Sequence, residues 1–278
     1  MPLHMSWRRT IKTIIGFLSG VLILGNSGHA QTPTLAGIAH AAIRVSDLAK
    51  ALDFYQKLGF EEAFAFSDRG TPTEAFLKIN DRQFIELYPR RQPSEQIGFM
   101  HVCFESTDLA ALNRAYLAQG LSPTPVKRAG AGNLLFTMQG PEQQNIEYTQ
   151  YMPDSMHSKD KGQHLGANRI SAQIIGLGIE MRDPAAAVAF YEKKLDFHPS
   201  SQASQPGALD LPGASGESVE FLRRAPGSTF RLVFSVGDLG RAAAQLKSLH
   251  LFVDKQKSTL SIRDPDGNRI LFVKVKPV

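Results

Sequence analysis

Two histidines and two glutamates stand at strand positions where apolar residues would ordinarily build a core. His40 lies in IAHAAIRV (38–45) and His101 in MHVCFE (100–105), while Glu86 sits in FIELY (84–88) and Glu147 in NIEY (145–148). An interval of 46 residues separates His40 from Glu86, the same interval separates His101 from Glu147, and 15 residues separate Glu86 from His101. Each half of this region therefore contributes one imidazole and one carboxylate at matched spacing, and a pseudo-twofold axis would bring all four together. Ile85 and Leu87 flank Glu86, and Ile146 and Tyr148 flank Glu147. In a strand those neighbours take one face and leave both carboxylates on the other. Burying a carboxylate without a partner is costly, so paired cations or a metal ion are the physical remedies. Two imidazoles and two carboxylates suit one divalent ion with one or two positions left for water or substrate. Two hydrogen-bonded His–Glu pairs without metal are the alternative.

The elements that must position these residues are legible from pattern. A strand over Ile38–Val45 leads through Ser46 and Asp47, which can cap a helix. That helix puts Leu48, Ala51, Leu52, Tyr55 and Leu58 on one face and stops at Gly59. Strands follow at Glu61–Phe66, Thr73–Ile79 and Gln83–Tyr88. The second half repeats the order: a strand at Met100–Glu105, a helix from Asp108 to Gln119 stopped by Gly120, then strands near Thr124–Arg128, Asn133–Met138 and Asn145–Gln150.

The whole arrangement recurs further along. IAHAAIRVSDLAKALDFYQKLGF (38–60) returns as IGLGIEMRDPAAAVAFYEKKLDF (175–197), FIELY as VEFL (219–222), and HVCFESTDLAAL (101–112) as RLVFSVGDLGRA (231–242). GPEQQNIEY (140–148) pairs with DPDGNRILF (264–272). Repeats at this scale predict two homologous modules, 36–151 and 171–278, joined by a polar, Gly-containing linker over 152–170. In the second module the positions of His40, Glu86, His101 and Glu147 hold Gly176, Glu220, Arg231 and Leu271. One carboxylate beside one arginine is an ion pair. The second copy reads as degenerate, a structural module or a wall of the substrate pocket.

Composition bounds the rest. The chain has 278 residues, 42% hydrophobic and 21% charged, with a single cysteine and a formal charge of +5. That balance is globular, and Cys103 alone excludes an intramolecular disulfide or a cysteine-based zinc site. Three of the positive charges, Arg8, Arg9 and Lys12, fall in residues 1–30, which contain no acidic residue. An uncharged stretch, Thr13–Gly25, and the small-residue site Gly28-His29-Ala30 follow. This is the pattern of a cleaved signal peptide, so export to the periplasm or outside the cell is expected. Arg8-Arg9 leaves both the general and the twin-arginine route open. Without the leader the chain is nearly neutral, and no nucleic-acid partner or stable membrane insertion is expected.

The segments HAAIRVSDLAKALDFYQKLGF, FIELY, HVCFESTDL and NIEY resemble the vicinal oxygen chelate superfamily, which includes glyoxalase I, methylmalonyl-CoA epimerase, extradiol dioxygenases and fosfomycin-resistance enzymes. The second module is similar to the same family, most clearly in DPDGNRI (264–270). The resemblance implies an α+β fold of two tandem glyoxalase-like modules, each of paired βαβββ units forming a half-open barrel. It places His40, Glu86, His101 and Glu147 at the family's ligand positions for one divalent metal, whether Zn, Ni, Co, Mn or Fe. It further implies a small oxygenated substrate chelated through vicinal oxygens. With a Lewis acid stabilising an enediolate, Glu86 or Glu147 can serve as base, which favours lyase or isomerase chemistry. Extradiol ring cleavage is the alternative, with His40, His101 and Glu147 as its two-His, one-carboxylate set. A non-catalytic binding or resistance protein is the other. Monomer and homodimer both fit, as does pairing of modules within one chain or across a dimer.

Other residues carry blander expectations. Cys103 reads as a small buried residue, Tyr88 and Tyr148 as core or rim, and Arg90 and Arg91 as a solvated strand end. His157 and His164 are expected to be exposed in the linker. His198 and His250 have no partner pattern.

Overall fold

Strand alternation and helix caps in the sequence set up two sheets of eight strands each. The computed structural model describes residue 1 and residues 34–200, 207–213, 215–225 and 230–274. The leader expected over residues 1–30 lies, beyond Met1, outside them. The first sheet contains β1 (Leu35–Val45), β2 (Glu62–Asp68), β3 (Thr71–Lys78), β4 (Phe84–Pro89), β5 (Gly98–Ser106), β6 (Lys127–Arg128), β7 (Leu134–Gln139) and β8 (Asn145–Gln150). Their spatial order is β2-β3-β4-β1-β5-β8-β7-β6. The two βαβββ halves meet where β1 runs antiparallel to β5, and each half closes with a parallel pair, β1 with β4 and β5 with β8. Helices α1 (Leu48–Lys57) and α2 (Leu109–Ala118) start at Asp47 and Asp108, whose carboxylates accept from the Lys50 and Ala111 amides. These caps satisfy otherwise orphaned N–H groups. The strand expected over Thr124–Arg128 pairs only at β6, although the Thr124 amide still donates to Thr137 O.

The joining segment is more structured than its polar composition suggests. It forms a short helix, α3 (Met156–Lys159), and packs against the first sheet. Lys78, fully buried, reaches Asp160 Oδ2 at 2.7 Å and Asp81 Oδ1 at 2.9 Å. His157 is not exposed as expected: it is buried among the rings of Phe64, Phe76 and Phe84, with Nδ1 3.0 Å from Asn133 Nδ2. An imidazole with one polar partner and apolar faces covers a sheet edge better than solvent does, and burial takes its pKa down to about 4. His164 stays half-exposed and bonds Asp160.

The second sheet repeats the first with β9 (Ile174–Met181), β10 (His198–Pro199), β11 (Ala208–Asp210), β12 (Ser218–Arg223), β13 (Arg231–Val236), β14 (Asp254–Lys255), β15 (Thr259–Arg263) and β16 (Arg269–Lys274). The order is β10-β11-β12-β9-β13-β16-β15-β14, and α4 (Pro184–Leu195) and α5 (Leu239–Ser248) take the places of α1 and α2. Both modules are therefore built from βαβββ pairs within one chain.

The two modules dock through reciprocal contacts. Tyr55 of α1 donates to Asp264 Oδ2 (3.2 Å), and Tyr191 of α4 donates to Gln144 Oε1 (3.1 Å). The Ser46 amide donates to Asp266 Oδ2, and the Asp183 amide to Glu142 Oε1. The turn 264–268 thus serves as a clamp. At the seam, Glu217 accepts from the Ile38 amide and from Gln83 Nε2, which also bonds Ile174 O. Rings cross the boundary as well, with Phe60 stacked on Phe234 and Phe99 on Phe230. Among the described residues no helix is long and apolar enough to cross a membrane.

Candidate metal centre

The four residues named from their spacing converge on the concave face of the first sheet. β1 carries His40, β4 Glu86, β5 His101 and β8 Glu147. Glu86 and His101 both register against Ala42, and Cys103 registers against His40 on one side and Glu147 on the other. Their apolar neighbours Ile85, Leu87, Val102, Ile146 and Tyr148 all enter the core. The pleat does the sorting, because successive side chains leave a strand on opposite faces.

His40 Nδ1 lies 3.1 Å from Glu86 Oε1, and His40 Nε2 lies 3.4 Å from Glu147 Oε1. The two Nε2 atoms of His40 and His101 are 3.1 Å apart, and His101 Nε2 is 3.8 Å from Glu86 Oε2. His40, Glu86 and His101 are buried; the Glu147 side chain, 15% exposed, is the one open to solvent. No lysine or arginine bonds to any of the four among the described residues.

The electrostatics follow from that deficit. Burial, then the neighbouring His101, holds His40 well below the usual imidazole range, and burial brings His101 to about 4. Burial, then Glu147, pushes Glu86 well above the usual carboxylate range. Burial lifts Glu147 to about 7, against the favourable bond from the Cys103 thiol. The imidazoles are kept neutral, which is the form that ligates metal, and the carboxylates lack a compensating cation. Ligands about 2.0–2.2 Å from an ion stand roughly 3–4 Å from one another. The contacts of His40 with Glu86, His101 and Glu147 have that spacing; the ligating atoms of His40, Glu86 and His101 all lie within 4.8 Å of each other, while Glu147 groups with His40 and Cys103. A divalent ion fits the donor set.

Three neighbours complete the centre. The Tyr88 hydroxyl bonds Glu74 and also lies 3.1 Å from Glu86 Oε2. One O–H donates to one carboxylate at a time, so Glu74, Tyr88 and Glu86 form a short chain along which a proton can be shared. Burial raises both Glu74 and Tyr88. Strand parity marks Tyr88, two residues beyond Glu86, as facing the site. Nothing local marks Glu74, whose place depends on the register of β3. Cys103 is buried as expected, yet its sulfur groups with His40 and Glu147 as a second cluster of ligating atoms. In the second module Arg231 Nη1 pairs with Glu220 Oε2 at 3.4 Å, and among the described residues no imidazole joins them. Arg90 lies exposed and bonds the backbone oxygens of Gln92 and Pro93, away from the quartet.

Paired βαβββ units with a polar cluster on the concave sheet define a glyoxalase-type fold. The sequence profile of the Glyoxalase/Bleomycin resistance protein/Dioxygenase superfamily matches residues 37–148 and again 174–272, and the chain belongs to that superfamily. Among solved structures it is similar to the 2,3-dioxygenase LapB from Pseudomonas sp. KL28, at 17% identity and a TM-score of 0.67, over 88% of this chain and 94% of that one. It is also similar to the Mn(II)-bound glyoxalase from Novosphingobium aromaticivorans, at 14% identity and a TM-score of 0.66, over 87% of this chain and 82% of the other. Homoprotocatechuate 2,3-dioxygenase from Arthrobacter globiformis shares 15% identity, with a TM-score of 0.62, over 89% and 82% of the two chains. At such identities the likeness is one of fold. No curated protein sequence matches the chain.

Proposed function

We propose that the first module, 36–151, holds one divalent metal through His40, Glu86, His101 and Glu147 and performs lyase or isomerase chemistry on a small oxygenated substrate. The observation that carries this reading is the convergence of two buried imidazoles, one buried carboxylate and one partly exposed carboxylate, without a cation among the described residues. The chemistry supplied by a divalent ion there is Lewis acidity toward vicinal substrate oxygens, which acidifies the adjacent C–H.

The chain's own residues divide the remaining work. Glu147 is assigned as the base: it is the less buried carboxylate and the one open to solvent. Glu86 is fixed by His40 and Tyr88, and a proton arriving at Glu86 can pass through the phenol to Glu74. The degenerate second module supports the first across the seam at Ile38 and Gln83.

Elemental analysis of the mature protein, purified without added metal, is the test. One nickel, cobalt, zinc or manganese ion per chain supports the reading. Iron together with oxygen-dependent turnover favours ring cleavage, the alternative suggested by the dioxygenase-like fold and by the set His40, His101 and Glu147. A chain that binds no divalent metal, and whose melting ignores a chelator, is a small-molecule binding protein instead.

Export is part of the proposal and rests on the sequence pattern of residues 1–30. Amino-terminal sequencing of the extracytoplasmic protein is expected to begin at or near Gln31. An intact Met1 on a soluble cytoplasmic protein overturns it.

A further inference from the structure

The corresponding face of the second sheet carries guanidinium groups: Arg231 stands where the first has His101, and Arg269 and Arg263 lie beside it in register. Arg231 registers against Arg269, and Arg269 against Arg263, so the three side chains leave one face. Along β13 and β16 the alternation is regular: Leu232, Phe234, Ile270 and Phe272 are buried, while Arg231, Val233, Arg269 and Leu271 remain half-buried. Gly178 stands between Glu220 and Arg231 in the register. A Cβ there would come within 3.0 Å of Arg231 Cβ and 3.1 Å of its Cδ. The glycine leaves the lane along which Arg231 crosses toward Glu220.

These cations are incompletely satisfied. Arg231 uses Nη1 on Glu220, and its buried Nε has no partner. Arg269 turns Nε and Nη2 toward the Ser261 hydroxyl at 3.4 and 3.3 Å, long contacts to a neutral group. Arg263 gives Nη1 to Gly267 O. Burial, then Arg231 and Arg263, lowers the Arg269 pKa, which reports crowding of like charge. The acidic groups that the register places on this face are Glu220 across Arg231, Glu180 further along β9, Asp210 on β11 and Asp254 on β14. Beside Arg263 and Arg269 opens a groove of about 470 Å³ walled by Leu251, Phe252, Asp254 and Ser261. Phe252 is 88% exposed. A groove lined by guanidinium groups and by an uncovered aromatic ring has the makings of an amphipathic anion site.

We propose that this groove binds a small monocarboxylate with an apolar or aromatic body. The Arg269 fork takes the carboxylate, Arg263 and the Ser261 hydroxyl assist, and the body lies on Phe252 and Leu251. Asp254 at the rim disfavours a dianion, and the apolar wall contributes only to a ligand that has a body to place there. The site is separate from the metal centre, and the proposal stands whether or not a metal binds the first module.

Calorimetric titration of benzoate into the full mature chain, as purified, tests it. Saturable binding at one site per chain is expected. Arg269→Gln should weaken it about tenfold or more, and Phe252→Ser about three- to tenfold. His101→Ala should leave benzoate affinity unchanged within about twofold. Inorganic phosphate, the control anion, should bind more weakly than benzoate and should not respond to Phe252→Ser. If Arg269→Gln fails to fold, Phe252→Ser and Arg269→Lys, both at accessible positions, carry the same comparison; lysine keeps the charge but loses the fork. The proposal fails if benzoate does not saturate, if phosphate binds as tightly, or if His101→Ala rather than Arg269→Gln removes binding.

Discussion

The two concave faces use one register for opposite ends. In the first module a row runs Glu86, Ala42, His101; in the second the same row reads Glu220, Gly178, Arg231. In this row guanidinium replaces imidazole, and with Gly176 and Leu271 at the places of His40 and Glu147 an acceptor cluster becomes an ion pair; the small residue between the partners shrinks to let the longer side chain pass. The surroundings change in step. β5 is buried continuously from His101 to Phe104, whereas its counterpart β13 alternates buried and half-buried positions. The first face raises its carboxylates and lowers its imidazoles, while the second pairs a half-buried Arg231 with Glu220, whose carboxyl burial also raises. A sheet framework fixes where side chains meet, and only the residue type decides whether the meeting point takes a cation or an anion.

The largest effect should come from removing an imidazole. His40→Ala is expected to reduce metal content from one ion per chain to near zero, and chelator should no longer lower its melting temperature. In the wild type, loss of a metal present at a hundredfold excess over Kd should cost about 2.7 kcal/mol of stability. Elemental analysis and melting with and without chelator check both.

A direct transplant of the second module's row comes next. Ala42→Gly combined with His101→Arg should abolish metal binding, as His101→Ala does. It should nevertheless be about 2 kcal/mol more stable than His101→Ala, because the guanidinium pairs with Glu86 instead of leaving it unpartnered. Urea unfolding of the two variants measures the difference.

The seam provides a pH test. Burial raises Glu217 from 4.5 to about 7 despite the Ile38 amide. Between those values the folded state keeps a proton that the unfolded state has lost, so this group's contribution falls as pH rises through the window and is level above it. The steepest slope is about 1.4 kcal/mol per pH unit. Glu217→Gln should remove this component, and unfolding at pH 5, 6, 7 and 8 reads it as the difference from wild type. Identical slopes would mean that Glu217 ionises normally.

Tyr88→Phe should keep one metal per chain while slowing turnover about tenfold, a loss near 1.4 kcal/mol. Metal loss in this variant would make Tyr88 part of the binding set instead. The smallest effect belongs to Glu220→Ala: metal content unchanged and stability altered by less than about 1 kcal/mol, as for a partly solvated ion pair. A second metal per chain, lost on this substitution, would refute the asymmetry between the modules.

Most of this architecture was legible because it is written in short periods. Strand alternation located β1, β4, β5 and β8, Asp47 and Asp108 marked helix starts, and the doubled interval brought His40, Glu86, His101 and Glu147 into one cluster. What escaped depends on contacts that no local period encodes. Glu74 reaches Tyr88 only through the register of β3 on β4. His157 sits in a polar stretch, yet three phenylalanines from separate strands bury it. The benign-looking turn 264–268 acquires its role only when Tyr55 and Ser46 arrive from the other module.

The seam also joins the histories of the two copies. Gly37 adopts φ +150°, and a Cβ there would fall 2.8 Å from Glu217 Oε2. A glycine three residues before His40 is thus required by a carboxylate of the other module, and that carboxylate caps the Ile38 amide in return. The second copy therefore needs no imidazole of its own to hold its place at the seam. It can drift in chemistry, because its concave face is its own, but not in shape, because its inner edge has become part of the first copy's wall.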